Sequence, residues 1–270
     1  MLDSIVCSDS SDLSFIDDES IALTVTSPPY HNAINYDRHL EKKWYRGNLD
    51  KPLDLYFSEM AKVFSEVFRV TREGGFCGII IGNEVANGNL IPLPHTLTEQ
   101  LCRSWVFHED IIWSKVTGGL DRFGVTIQHP YPSYYRANIM HEHILVFRKG
   151  KMVHRRDEDS KLIIDEVMKK DTSNSVWNIP PVPPRLIPHP CPFPEEIPFR
   201  LTLLYSNRGD TVLDPFNGSG QTTKVARYLG RHYIGVDAQS EYVELAKNRL
   251  DEPIHLREPI VAEWKKISKA

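Results

Sequence analysis

The chain has 270 residues, of which 41% are hydrophobic and 25% charged, the proportions of an ordinary globular protein. No apolar run is long enough to span a bilayer, and residues 1–11 do not read as a signal peptide. The four scattered cysteines (Cys7, Cys77, Cys102, Cys191) form no C-x-x-C pair, which argues against a disulfide framework and for a cytoplasmic setting, and the net charge of −4 excludes a wholly basic nucleic-acid coat protein but not a local basic face.

In chain order, residues 21–26 form a short β-branched run that predicts a buried strand, stopped by Pro28 because proline donates no ladder hydrogen bond. Leu53, Tyr56, Phe57, Met60, Phe64, Val67 and Phe68 recur at helical spacing, and Gly74-Gly75 is the expected stop of that helix. Residues 76–81 predict the next strand, and Leu93, Leu97, Leu101 and Trp105 a shorter helix. Strands at 109–113 and 141–147 follow. Residues 149–187 break the rhythm with a basic cluster and then a proline-rich stretch, which reads as an extended segment laid over the surface. From there the pattern is helix 199–205, strand 211–213, helix 222–229, strand 233–236 and helix 242–250. This repeat of strand and helix makes the fold class α/β.

Asp214-Pro215-Phe216-Asn217-Gly218-Ser219-Gly220 joins a predicted strand to a predicted helix. Glycines there let the backbone turn sharply and bring its amides close to a ligand. Asp237, at the end of the next strand, can accept hydrogen bonds from two ribose hydroxyls. A dinucleotide prefers a third glycine where Thr223 stands, and a phosphate-binding P-loop needs Gly-Lys where Gly220-Gln221 stands. S-adenosylmethionine (SAM) carries no phosphate and needs neither. Ser27-Pro28-Pro29-Tyr30 follows a strand at a sheet edge, where its prolines stiffen the turn. A serine oxygen and a proline carbonyl there can accept both hydrogens of an exocyclic amine, and the tyrosine ring can stack on the base that bears it.

These residues resemble a known family. Thr26 through Tyr30 resembles the catalytic motif of amino-directed DNA methyltransferases, and Asp214 through Gly220 their cofactor loop. His189-Pro190 through Phe193-Pro194 is similar to the remaining cofactor-side motif. Catalytic motif first and cofactor loop last is the circularly permuted order of the group called β. The resemblance covers nearly the whole chain except residues 115–138 and 149–177. It implies a Rossmann-like fold with a seven-stranded, mostly parallel sheet and one antiparallel strand, for which residues 141–147 are the candidate. Residues 1–270 then form a single catalytic domain, with variable DNA-recognition segments inserted at about 115–138 and 149–187 and the SAM-binding half at 188–250.

The resemblance further implies SAM held by Asp214, Phe216, Asn217, Gly218, Ser219, Gly220, His189 and Asp237. Double-stranded DNA would be the substrate, its target base flipped out of the duplex onto Ser27, Pro28, Pro29 and Tyr30. The methyl group would pass directly to nitrogen, with no metal. Serine before Pro-Pro-Tyr is more typical of N4-cytosine than of N6-adenine members, so N4 of cytosine is the first expectation and N6 of adenine the alternative. A catalytically silent DNA- or SAM-binding module is the rival from another class. Two basic clusters are candidate phosphate contacts: Lys42, Lys43 and Arg46 beside Trp44, and Arg148, Lys149, Lys151, Arg155 and Arg156. A cognate restriction endonuclease and a homodimer are compatible with this reading, and the sequence does not decide either. Pro190-Cys191 resembles the Pro-Cys of cytosine-C5 enzymes, but its position in a proline-rich arm reads as structural. His141-Glu142-His143 lacks the H-E-x-x-H spacing and reads as a strand with polar neighbours.

Overall fold

The computed structural model describes residues 1–31, 52–86, 89–115, 126–127, 132, 135–137, 139–162, 164–183 and 186–257. Its strands are β1 (Ser4–Cys7), β2 (Ile21–Thr26), β3 (Thr71–Ile81), β4 (Glu84–Ala86), β5 (Asn89–Ile91), β6 (Val106–Ser114), β7 (Thr126–Ile127), β8 (Tyr135–Arg136), β9 (His141–Arg148), β10 (Val176–Asn178), β11 (Thr211–Asp214) and β12 (His232–Asp237). The helices are α1 (Leu53–Val70), α2 (Leu93–Leu101), α3 (Glu196–Tyr205), α4 (Gln221–Tyr228) and α5 (Ser240–Arg249).

The main sheet has 8 strands in the order β1-β12-β11-β2-β3-β9-β6-β10. Neighbours pair in parallel except at β9, which runs antiparallel to both β3 and β6. The antiparallel strand is therefore the one that the family resemblance implied. The sheet has one strand more than the expected seven, and its two edge strands, β1 and β10, are the ones that the hydrophobic pattern did not predict. All residues of β2 are buried, as a parallel strand covered on both faces requires.

Helices cover both faces. Tyr56, Met60, Phe64 and Val67 of α1 and Leu93, Leu97 and Leu101 of α2 pack with Ile79, Ile81, Leu145 and Phe147 on one side. Ile197 and Leu201 of α3, Ala226 of α4 and Ala246 of α5 pack with Leu23, Val25, Ile144 and Val212 on the other. The chain thus leaves β11 toward one face, while α1, the helix after β2, lies on the opposite face. Between the carboxyl ends of β11 and β2 this opens the crevice in which α/β sheets bind ligands.

Two local expectations change. The helix α1 stops at Val70, before the glycine pair: Thr71 turns extended (φ −72°, ψ 131°) and its hydroxyl donates back to the Val67 carbonyl at 2.6 Å. Gly74 and Gly75 belong to β3, where a Cβ on Gly75 would come within 3.0 Å of the Ala22 carbonyl oxygen. The segment 149–187 is not wholly a surface layer either. Within it β10 joins the sheet beside β6, and Trp177 is fully buried, its indole N–H donating to the Thr172 carbonyl at 3.0 Å and the Arg200 guanidinium lying 4.9 Å from its ring. A tryptophan of that area gains too much from burial to remain at the surface. Among the described residues no helix is long and apolar enough to cross a membrane.

Candidate active site

Four neighbouring parallel strands, β1, β12, β11 and β2, deliver their carboxyl ends to one cavity of about 310 Å³. That volume lies in the small-molecule range. Ser27, Pro29 and Tyr30 line it from β2, and Phe216, Asn217, Gly218 and Ser219 from β11. Asp237 lines it from β12 and His189 from the proline-rich arm. Sequence motifs separated by some 190 residues are thus joined because β2 and β11 are adjacent, Leu23 opposite Val212 and Thr24 opposite Leu213.

The glycine loop is held by its backbone. The Asn217 N–H donates to the Val236 carbonyl at 2.9 Å and the Gly220 N–H to the Asn217 carbonyl at 2.7 Å. Gly218 has φ +46°, and a Cβ there would meet the His189 imidazole at 2.8 Å. Gly220 has φ +79°, and a Cβ would strike Ala246 of α5 at 2.8 Å. Both positions need glycine for conformation and for space together. Asp237 accepts the Gly218 N–H at 2.8 Å on one oxygen and the Gln239 N–H at 2.9 Å on the other. Burial nevertheless raises its pKa above the ordinary carboxylate value, and the two amide hydrogen bonds oppose that rise. Each oxygen retains a lone pair for a ligand hydroxyl.

Not every predicted residue reaches the cavity. Pro28 is buried behind the turn, and Gly220 sits at the start of α4. Asp214 is buried beneath the loop, where its Oδ1 accepts the Thr26 hydroxyl at 2.6 Å and the Phe216 N–H at 3.1 Å. It therefore ties the Ser27 turn to the glycine loop and is not among the residues that line the cavity. Thr222 adds a second tie, its hydroxyl donating to the Val25 carbonyl at 3.0 Å.

Lys42, Lys43 and Arg46 lie outside the described residues. The second basic cluster follows β9 at the edge of the sheet opposite this cavity. Strand β9 runs against its neighbours, with Ile81 opposite His143 and Phe76 opposite Arg148, so residues after β9 emerge at the amino-terminal edge, roughly 24 Å from its start at His141 at about 3.4 Å per residue. Val153 packs against Gly74, and the Ser160 hydroxyl accepts the Arg208 N–H at 2.6 Å, so the exposed Arg155 and Arg156 are held between two points of that edge. Lys151, also exposed, lies on the same stretch. Lys149 is buried: its ammonium donates to the Phe68 carbonyl at 3.0 Å and the Thr71 carbonyl at 2.8 Å, and pairs with Glu19 at 3.3 Å. It caps the carboxyl end of α1, where a cation suits the helix dipole. Arg148 turns onto the Gly150 carbonyl.

The structure also adds residues to the site. Ser8, Asp9 and Ser10, just after β1, line the cavity, with the Ser10 hydroxyl donating to the Pro215 carbonyl. Phe193, Gln239 and Tyr242 line it as well, and the Tyr242 ring meets that of His189 edge-on at 4.9 Å. The only available signal for residues 8–10 was a polar stretch after a four-residue strand, which is too common to single out. All four cysteines are free thiols, and Cys191 is among the residues that line the cavity.

The lining contains two carboxylates, Asp9 and Asp237, and neither lysine nor arginine among the described residues. Such a cavity repels phosphate and favours a cation with a ribose. Positive-φ glycines, a strand-terminal acid and aromatic walls fit SAM, whose sulfonium is cationic. Together with the doubly covered parallel sheet, this defines the class of Rossmann-like SAM-dependent methyltransferases.

Comparison with known proteins narrows the class. The model of the N6/N4 DNA methylase family matches residues 21–248, and the chain belongs to that family of SAM-dependent DNA methyltransferases. The Type II methyltransferase M.MthZI of Methanothermobacter thermautotrophicus is 31% identical over 276 residues, covering 93% of this chain and 77% of the relative. DNA adenine methyltransferase YhdJ of Escherichia coli is 28% identical over 262 residues, covering 92% and 82%. The crystal structure of TTHA0409 from Thermus thermophilus, complexed with S-adenosyl-L-methionine, matches with a TM-score of 0.70 at 28% identity, covering 92% of this chain and 94% of that one.

Proposed function

We propose that the chain methylates the exocyclic N4 of cytosine within a short duplex sequence. The observation that carries this reading is Ser27 at the head of the Pro-Pro-Tyr turn, lining the same cavity as Gly218 and Asp237. Ser27 accepts an amine hydrogen, and Tyr30 stacks on a base displaced from the duplex. When bound, SAM supplies an electrophilic methyl carbon. The weakly nucleophilic amine needs orientation toward that carbon, and a rigid proline turn supplies it. Asp237 holds the ribose and the Gly218 loop the rest of the cofactor. Lys42, Lys43 and Arg46 are the basic residues proposed to contact phosphate. The Type II name of the Methanothermobacter relative supports a restriction nuclease as companion.

N6 of adenine is the second reading, favoured by the name of the Escherichia coli relative. Nucleoside analysis of DNA from an expressing host separates the two, and sequencing places the modified base in its context. N4-methylcytosine is the expected product. N6-methyladenine would overturn the cytosine assignment, and unmodified DNA would favour a silent binding module. In the active protein Ser27→Ala is expected to lower kcat by about 10²-fold, as loss of one oriented polar contact commonly does. Cys191→Ser should retain activity, since no thiolate attack is involved.

A further inference from the structure

Tyr30 ends in a buried charged cluster that nothing in its own motif anticipates. Its hydroxyl donates to Oε1 of Glu142 at 2.7 Å. The same oxygen pairs with the ammonium of Lys115, which lies 4.6 Å from the centre of the Trp113 ring. Glu142 is 7% exposed and Lys115 8%. Glu142 belongs to β9, two strands away from β2, and it reaches across at Gly82, where a Cβ would come within 2.8 Å of its Cγ. The chain therefore leaves room for this one side chain to approach the catalytic turn. A buried ion pair seldom repays its desolvation in stability, so a buried acidic residue at the head of β9 calls for another role.

We propose that Glu142, held by Lys115, is a positioning residue for methyl transfer. It pins the hydroxyl end of Tyr30 while the Pro28-Pro29 turn pins the other, and so fixes the ring plane on which the target base stacks. The inference rests on the functional reading above, and it holds whether the base is cytosine or adenine. Misplacement of a reacting group by about 1 Å can cost up to about 10²-fold in rate, so a loosened ring should be visible in the chemical step.

The test uses Tyr30→Phe, Glu142→Ala, Glu142→Gln and the Tyr30→Phe/Glu142→Ala double variant. Two quantities are read: the single-turnover rate on a duplex carrying the sequence that host-DNA sequencing identifies, and affinity for that duplex with the target base present or abasic. Tyr30→Phe and Glu142→Ala should each lose about tenfold in rate, with no further loss in the double variant, because both break one contact. Glu142→Gln keeps an oxygen acceptor for the hydroxyl and should retain most of the rate. Glu142→Ala should bind the intact duplex several-fold more weakly and the abasic duplex as the wild type does. Additive losses, equal weakening on both duplexes, or wild-type rates in both single variants would each overturn the role of Glu142. Wild-type protein that methylates no DNA would instead remove the functional reading, and the inference with it. Tyr30→Phe removes one oxygen and no charge, so it decides the matter even if loss of Glu142 prevents folding.

Discussion

Asp237 commits both carboxylate oxygens to backbone amides before any ligand arrives. Its burial makes it a costly anion, and hydroxyls of a ribose would complete its hydrogen bonding. Charge-assisted hydrogen bonds contribute about 1.5–3 kcal/mol each, so Asp237→Ala is expected to weaken SAM binding by about 2–4 kcal/mol after some compensation by water. Isothermal calorimetry on the folded variant measures this directly, and an unchanged affinity would refute the ribose assignment. Asp237 was legible in the sequence because its position is set locally, at the end of an apolar run one strand and one helix after a glycine loop. Glu142 was not. Alternation along β9 turns it away from His141 and His143, but only pairing across β3 aims it at Tyr30.

At the level of elements, strands β2 and β11 are joined by their ladder and by the Thr26–Asp214 hydrogen bond. Burial pushes the Asp214 carboxyl up from 3.8 to about 7, against hydrogen bonds from Thr26 and the Phe216 amide that favour its charged form. The folded chain therefore keeps this proton at pH values where the unfolded chain has lost it. The stability contributed by the neutral carboxyl is complete below about pH 4 and is lost as pH rises toward 7. Melting temperatures of wild type and Asp214→Asn between pH 4 and 7.5 should show the wild type losing ground to the variant across that window. A difference that does not change with pH would mean that Asp214 is already charged at the low end. The motif Asp-Pro-Phe-Asn-Gly-Ser-Gly marked Asp214 as a ligand contact. Its burial behind the loop, under Thr26, makes it a connector between strands.

Across the whole molecule, the cofactor half is braced by a buried ionic network that joins α3, α4, α5 and residues 253–255. Glu195 accepts from Lys224 at 2.7 Å, from Arg249 at 3.0 Å and from the His255 N–H at 2.7 Å. Arg249 continues to the Ser219 carbonyl and to Gln221 at 2.9 Å, directly beneath the glycine loop. Glu195→Ala would leave Lys224 and Arg249 buried without their central anion. It is expected to cost about 3–5 kcal/mol in urea unfolding, the usual penalty for breaking such a pair. A loss below about 1 kcal/mol would place the network in the class of weak surface pairs. The polarity of β9 also acts at this scale. An antiparallel strand carries whatever follows it to the far edge of the sheet, so the Arg148–Arg156 run, despite its charge, is turned away from the cavity.

By itself the sequence determined the α/β class, the strand at 141–147, the proline turn at Ser27 and the glycine loop at Gly218. Each is encoded by local demands: buried strands need apolar runs, tight turns need proline or glycine, and a ligand-facing loop needs small residues. Tertiary structure alone decided which side chains meet across strands distant in sequence. It brought Ser8, Asp9 and Ser10 to the cavity through the pairing of β1 with β12 and set Glu142 against Tyr30. It also buried Lys149 at the end of α1 and took Arg155 and Arg156 to the opposite edge. A lysine on a surface loop and one capping a helix share the same local sequence, and only the packing of the rest of the chain separates them.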